Sequence, residues 1–196
     1  MNSAFLATSD IVNFKDQNIA TLAEQLASDK NNKTEIAKAC FNYVRDEIMH
    51  TGDFNMLLTT CGASDVLAHK TGWCYAKSHL LCALLRANNI PCGFSYQRLS
   101  VNDDGAPYSL HGLNALYLDE YGWFKVDARG NRDGKDGKSK MFTEFIAGQD
   151  SYAFALNPEF DEYNMDEVLE KPLTNVVDAL MTYTTSDEMR QNFPDV

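Results

Sequence analysis

The chain has 196 residues, 44% hydrophobic and 23% charged, with 11 Phe and 9 Tyr against 11 Gly and 5 Pro. That supports one packed domain and excludes a wholly disordered or collagen-like chain. The formal charge of −11 repels phosphate backbones and anionic bilayers, so neither nucleic acid nor membrane is an expected partner.

The longest apolar run, Leu80 to Leu85, is six residues, where a membrane span needs about 20. Residues 1–10 hold no basic residue and no long apolar stretch, so no secretory leader is expected and a cytoplasmic location is the default. The five cysteines, Cys40, Cys61, Cys74, Cys82 and Cys92, form no C-x-x-C pair. Their odd number argues against a disulfide framework, and their spacing against a zinc ribbon or a thioredoxin-like site. No metal and no cofactor are expected. A zinc site from Cys74, His79 and Cys82 is the weak alternative.

Along the chain, Ile19, Leu22, Ala23 and Leu26 share one helix face, and Asp29 to Asn32 end that helix. A second helix is predicted over 34–49, capped by Asn32 with Glu35, its stripe being Ile36, Cys40, Tyr43, Val44 and Ile48. Residues 64–69 read as a short helix. A third long helix is predicted from Trp73 or Cys74 to Ala87, stopped by Asn88, Asn89 and Pro91. The period then changes. Residues 92–99 alternate like a strand, and 102–107 form a turn cluster leading to His111. Strands are predicted over 113–118 and 123–127, joined as a hairpin through Asp119 to Gly122. The Gly- and Lys-rich stretch 130–140 is expected as a mobile loop, 141–145 as a further strand, 172–183 as a closing helix, and the last dozen residues as frayed. Helices first and antiparallel strands second make an α+β domain.

Cys74 follows Gly72 and Trp73 and opens a helix, where unpaired backbone N–H groups and the helix dipole favour a thiolate. A lone cysteine is more often a small core residue, and the other four are read that way. His111 follows a turn-rich loop and opens a strand in this reading; Asp127 ends the next strand. The two share a sheet face only if the hairpin loop is odd in length or a strand bulges, and Gly122 suits a three-residue loop. Cys, His and Asp in this order fit nucleophilic catalysis.

These residues resemble the transglutaminase-like superfamily of papain-fold cysteine enzymes. The resemblance rests on Gly72-Trp73-Cys74, then Arg86 through Asn89-Ile90-Pro91, then His111, then Gly122-Trp123 and Val126-Asp127, and covers about residues 36–131. Two positions depart from the pattern: Leu113 stands where an aromatic is frequent, and Asn89 replaces the glycine of Gly-Ile-Pro. The resemblance implies a papain-like α+β fold in a single domain over 1–196, with the cysteine helix packed on an antiparallel sheet. It also implies Cys74 as thiolate nucleophile, His111 as base and ion-pair partner, and Asp127 as orienting carboxylate.

Acyl transfer needs donors for the developing oxyanion. The backbone N–H of Cys74 is one. For the second, which relatives supply from a side chain upstream of the cysteine, His50 is the candidate, with Thr60 and Asn55 behind it. The competing reading makes His50 a helix C-cap. Trp73, Tyr75, Gln97 and Arg129 are candidates to line the cleft, against a plain reading as packing or solvated positions. His69 and His79 carry no expected role. The leading expectation is therefore a cysteine-dependent enzyme cleaving amides of a peptide, protein or small molecule. The alternatives are a protein-glutamine transglutaminase and a non-catalytic module that keeps the fold.

Overall fold

A computed structural model describes residues 3–134 and 140–196. Helix α1 (Gln17–Ala27) starts where the Asp16 carboxylate accepts from the N–H groups of Asn18 and Ile19. Helix α2 (Lys33–Glu47) starts where the Asn32 side chain accepts from Glu35 N at 2.9 Å. The Glu35 carboxylate reaches back one residue further than a capping box, to Asn31 N. A two-residue strand β1 (Met49–His50), helix α3 (Ala63–His69) and a second short strand β2 (Thr71–Gly72) follow. Next comes α4 (Cys74–Ala87).

Helix α4 is the centre of the molecule. Every residue from Cys74 to Arg86 is buried, Lys77, Ser78 and His79 included, so this helix has no solvent-facing side. Helices α1, α2 and α3 pack around it, and the sheet covers the remaining side. That sheet has the order β5-β4-β3-β6, all antiparallel, from β3 (Cys92–Ser100), β4 (Tyr108–Leu118), β5 (Gly122–Val126) and β6 (Tyr163–Asn164). Arg86 locks the far end of α4. Its guanidinium donates to the carbonyls of Cys92, Ala7 and Glu170, tying three segments to one buried cation. Asn89 turns the chain at φ 55°, taking the left-handed conformation that glycine would otherwise supply.

The β4–β5 hairpin has the odd loop that parity requires. Leu118 pairs with Gly122, leaving Asp119, Glu120 and Tyr121 between them, and Gly122 sits at φ 75°. Because Asn114 pairs with Val126, Asp127 falls opposite Leu113, two residues from His111 and on the same face.

Three expectations need correction. His111 does not open its strand: β4 begins at Tyr108, because the turn cluster ends sooner than its composition suggests, and His111 pairs with Gln97 in mid-ladder. Residues 141–145 form no strand. Met141 makes a single bridge to Arg132, with no further ladder to extend it. The last dozen residues are ordered. Helices α5 (Thr174–Thr182) and α6 (Ser186–Gln191) pack in turn, and α6 carries a full capping box between Thr185 and Glu188. Beyond it Asp195 binds Arg98 through both oxygens at 2.7 Å, and Pro194 O accepts from Leu110 N at 2.8 Å. The loop expected over 130–140 falls in part on residues 135–139, outside the described residues. No helix among the described residues is long and apolar enough to cross a membrane.

Candidate active site

Cys74 is the first residue of α4, and Trp73 before it has extended backbone with no side-chain cap. The first helical hydrogen bond runs from Lys77 N to Trp73 O, so by position the N–H groups of Cys74, Tyr75 and Ala76 have no partner within the helix. The opposite wall is β4. Strand β5 leaves β4 after Val126, so residues 108–113 of β4 have no strand neighbour on that side. Two other groups occupy that edge: Leu110 N binds Pro194 O, and Gly112 N lies 3.5 Å from Cys74 Sγ. Gly112 makes this approach possible. A Cβ there would stand 3.0 Å from Tyr75 Cδ1 and 3.1 Å from Tyr75 Cα.

Next to Gly112, His111 Nε2 lies 2.7 Å from Asp127 Oδ2. The carboxylate is held from two further sides, by Ala153 N on Oδ2 at 2.9 Å and Arg129 N on Oδ1 at 3.0 Å. Phe154 packs edge-on against the imidazole at 4.8 Å. With Nε2 engaged by Asp127, Nδ1 is the ring nitrogen left for the Cys74 sulfur. Burial alone would drive the His111 proton off. The Asp127 carboxylate, hydrogen-bonded to the ring, and the nearby Cys74 sulfur outweigh burial and push its pKa up to about 10. Burial works against the Asp127 charge too, yet His111 and the two amides hold its carboxyl below the usual value.

The short parallel β1–β2 ladder brings His50 to the same place. His50 pairs with Gly72, and Thr51 N donates to Gly72 O. Burial, reinforced by Arg129 and Lys77, drives the His50 pKa well below its usual value, so the ring is uncharged at neutral pH. Its Nδ1 is buried without a hydrogen-bond partner, 3.7 Å from Asp53 Oδ2. Trp73 meets the His50 ring edge-on at 5.5 Å, and its own Nε1 is likewise buried and unpartnered. Behind them Lys77, one turn into α4, donates to the carbonyls of Ile48 and Arg45 and so fixes the end of α2 and the entry to β1. Burial, with Arg129 nearby, pushes its pKa down to about 7.

Cys74, His111, His50 and Trp73 together face a cavity of about 430 Å³. Tyr75 and Arg129 line it too, and Cys74 keeps 8% of its surface open. Gln97 does not reach it. Although Gln97 pairs with His111 across the ladder, its amide nitrogen is committed to Asn164 Oδ1 at 2.9 Å and Phe154 O. Thr60 is a buried structural residue, bound to Thr71 O at 2.8 Å. His79 is core: Nδ1 meets Cys61 O at 2.8 Å, and burial pushes its pKa down to about 4. Among the described residues no three His, Cys, Asp or Glu side chains gather as a metal would need.

Sequence reasoning missed Gly112, Phe154, Asp53, Arg190 and Phe193. A glycine inside a strand marks a close backbone approach, so Gly112 carried a readable signal. Asp53 sits three residues beyond His50, while Phe154, Arg190 and Phe193 reach the cavity from segments far along the chain.

A family model described as the transglutaminase-like superfamily matches residues 20–128, more than half of the chain. The chain belongs to the transglutaminase-like superfamily. A crystal structure from Cytophaga hutchinsonii, provisionally assigned as a cysteine protease, shares this superfamily member's fold. It has a TM-score of 0.50 and 20% identity, over 64% of this chain and 40% of its own. The periplasmic domain of TgpA from Pseudomonas aeruginosa gives 0.44 at 20% identity, over 58% of this chain and 42% of its own. A Parabacteroides distasonis protein provisionally assigned as a protease gives 0.43 at 16%, over 63% and 25%. The shared part is thus less than half the length of each of these relatives. No curated protein matches the chain.

Proposed function

We propose that this transglutaminase-like protein, a single domain over residues 1–196, is a cysteine-dependent acyl-transfer enzyme that hydrolyses amide bonds through a thioester. One observation carries the reading: Gly112 N lies 3.5 Å from the Cys74 sulfur at a helix start, and the residue before that glycine, His111, is held by Asp127 at 2.7 Å. In this reading His111 holds the proton that Cys74 gives up before attack. The Cys74 sulfur attacks the substrate carbonyl, and charge develops on its oxygen. His111 passes its proton to the leaving amine as the C–N bond breaks, which leaves a thioester. Neutral His111 then takes a proton from water, whose oxygen attacks the thioester, and the acid departs as the thiolate re-forms. Asp127 stays ionised and orients the ring.

The oxyanion is met by the N–H of Cys74, one of the unpaired donors at the start of α4. His50 is the second donor in this reading. An uncharged imidazole with its proton on Nε2 can donate into the cavity. Both oxygens of Asp53 are occupied by Arg129 and Arg132, which leaves little pull on the Nδ1 side. The substrate is a peptide, a protein segment or a small amide.

The test is turnover of a library of peptide amides by the wild type and Cys74→Ala, with and without an added primary amine. Release of free acid by the wild type alone supports hydrolysis. An amine-linked product would replace hydrolysis by transamidation. Equal product from Cys74→Ala would remove the nucleophile from the account.

A further inference from the structure

The reacting centre lies within the family-matched residues 20–128, but much of the wall around it does not. Arg129, Arg132, Phe154, Arg190 and Phe193 all come from later in the chain. Arg129 and Arg132 both bind the one carboxylate of Asp53. Arg190 differs. It lies on the cavity rim from α6, its guanidinium 5.3 Å from the centre of the Trp73 ring, and it donates to Gly52 O at 3.0 Å. No carboxylate among the described residues pairs with it. Trp73 is the residue before Cys74, and Arg190 and Cys74 line the same cavity. On the same wall His50 is uncharged. In a chain of net charge −11, the general field repels anions, and a local cation is what admits one. Stacked on the indole, the guanidinium spends an Nη2–H on Gly52 O and has further N–H groups in its plane to offer a two-oxygen acceptor.

We propose that the cavity selects substrates bearing a carboxylate beside the scissile amide, and that Arg190 is the residue that binds it. The inference rests on the proposed reading of Cys74 as the reacting centre, and its test is separate from turnover. The full chain carrying Cys74→Ala is labelled with nitrogen-15 and titrated with N-acetyl-glutamate amide or N-acetyl-glutamine amide. The two probes match in shape and differ in charge. The readout is the indole N–H signal of Trp73, told apart from that of Trp123 by Trp123→Phe.

The glutamate probe should bind about tenfold more tightly than the glutamine probe. Arg190→Gln should bring the two within about twofold of each other, and Arg190→Lys should retain an intermediate preference. Arg190 is exposed, and an unchanged spectrum elsewhere shows that its variants stay folded. Equal affinities, a preference that survives Arg190→Gln, or no shift from either probe would each overturn the proposal. Charge preference without any wild-type turnover would sink the enzyme reading alone. Turnover without charge preference would sink this inference alone.

Discussion

Gly112→Ala is the substitution that most directly strains the contact between β4 and α4. The added methyl would sit 3.0 Å from Tyr75 Cδ1, 3.1 Å from Tyr75 Cα and 3.3 Å from Tyr75 N. Comfortable carbon contacts begin near ~3.5 Å. Two of the three atoms are backbone at the first turn of α4, so no side-chain rotation relieves the clash. Strand and helix must separate by about half an ångström at that point, at an overpacking cost of about 1–3 kcal/mol. The hydroxyl of Tyr75, hydrogen-bonded to Leu110 O, resists that separation. Gly112 N would retreat from the Cys74 sulfur, now 3.5 Å away, and His111 would move with it. Misplacement of reacting groups by about 1 Å can cost about 100-fold in rate. We expect Gly112→Ala to lower the denaturation midpoint modestly while cutting kcat/KM and Cys74 alkylation at least tenfold (~1.4 kcal/mol). Urea titration and timed labelling of Cys74 would measure both. Wild-type stability together with wild-type reactivity would refute the argument that this glycine sets the sulfur–imidazole geometry.

Three further outcomes follow from the same geometry. His50→Phe should lower kcat by about 100- to 1,000-fold while leaving Cys74 labelling by a small reagent near wild type, which separates loss of an oxyanion donor from loss of the nucleophile. Arg86→Ala should cost about 3–5 kcal/mol in a denaturant melt, because three segments lose the one buried cation that ties their carbonyls together; Arg86→Lys should not restore it, since one ammonium cannot span the same fork. For pH, His79 is held neutral down to about 4, whereas in the unfolded chain it takes a proton near ~6.5. Stability should therefore fall as pH drops from 6.5 toward 4, and His79→Gln should flatten part of that limb. On the alkaline side His111, raised to about 10, loses its stabilising contribution as pH rises, while Lys77, lowered to about 7, gains one, so the two slopes oppose. His111→Ala should leave stability rising from pH 7 to about 8, beyond which the buried thiols of Cys40 and Cys61, both raised in the fold, turn the slope down.

How far the sequence foretold this arrangement depends on the range of each interaction. The start of α4 at Cys74 was readable because its signals are local: a glycine two residues before, an apolar run after it, and Asn88-Asn89 and Pro91 to stop it. The shared face of His111 and Asp127 was readable because strand parity is a counting rule once Gly122 fixes the loop. Asn89 in the left-handed conformation followed from the same local chemistry. What failed was set at long range. β1 and β2 are two residues each, too short for any period, and their pairing exists only because α2 and α3 deliver Met49 and Thr71 side by side. Residues 185–196 carry few apolar side chains and so read as frayed, yet Phe193 packs on Trp73 and Asp195 binds Arg98 from 97 positions away. The capping box Thr185-x-x-Glu188 was a local signal that deserved more weight. Gln97 was misjudged for a related reason: the ladder sets it opposite His111, but β6, a strand of two residues, claims its amide.

The central claim is that His111 and Cys74 act as one unit. It is tested most directly by the pH dependence of Cys74 alkylation in the wild type and in His111→Ala, with Cys61 as an internal reference and mass spectrometry resolving each site. Burial and Asp65 push the Cys61 thiol up to about 11, so it should react only slowly at any pH below that value. In the wild type Cys74 should be alkylated well below neutral pH, far faster than Cys61. In His111→Ala that acid-side reactivity should disappear and the profile shift toward that of an ordinary thiol. A Cys74 profile unchanged by His111→Ala would show that the two side chains are uncoupled, and would contradict the account at its base.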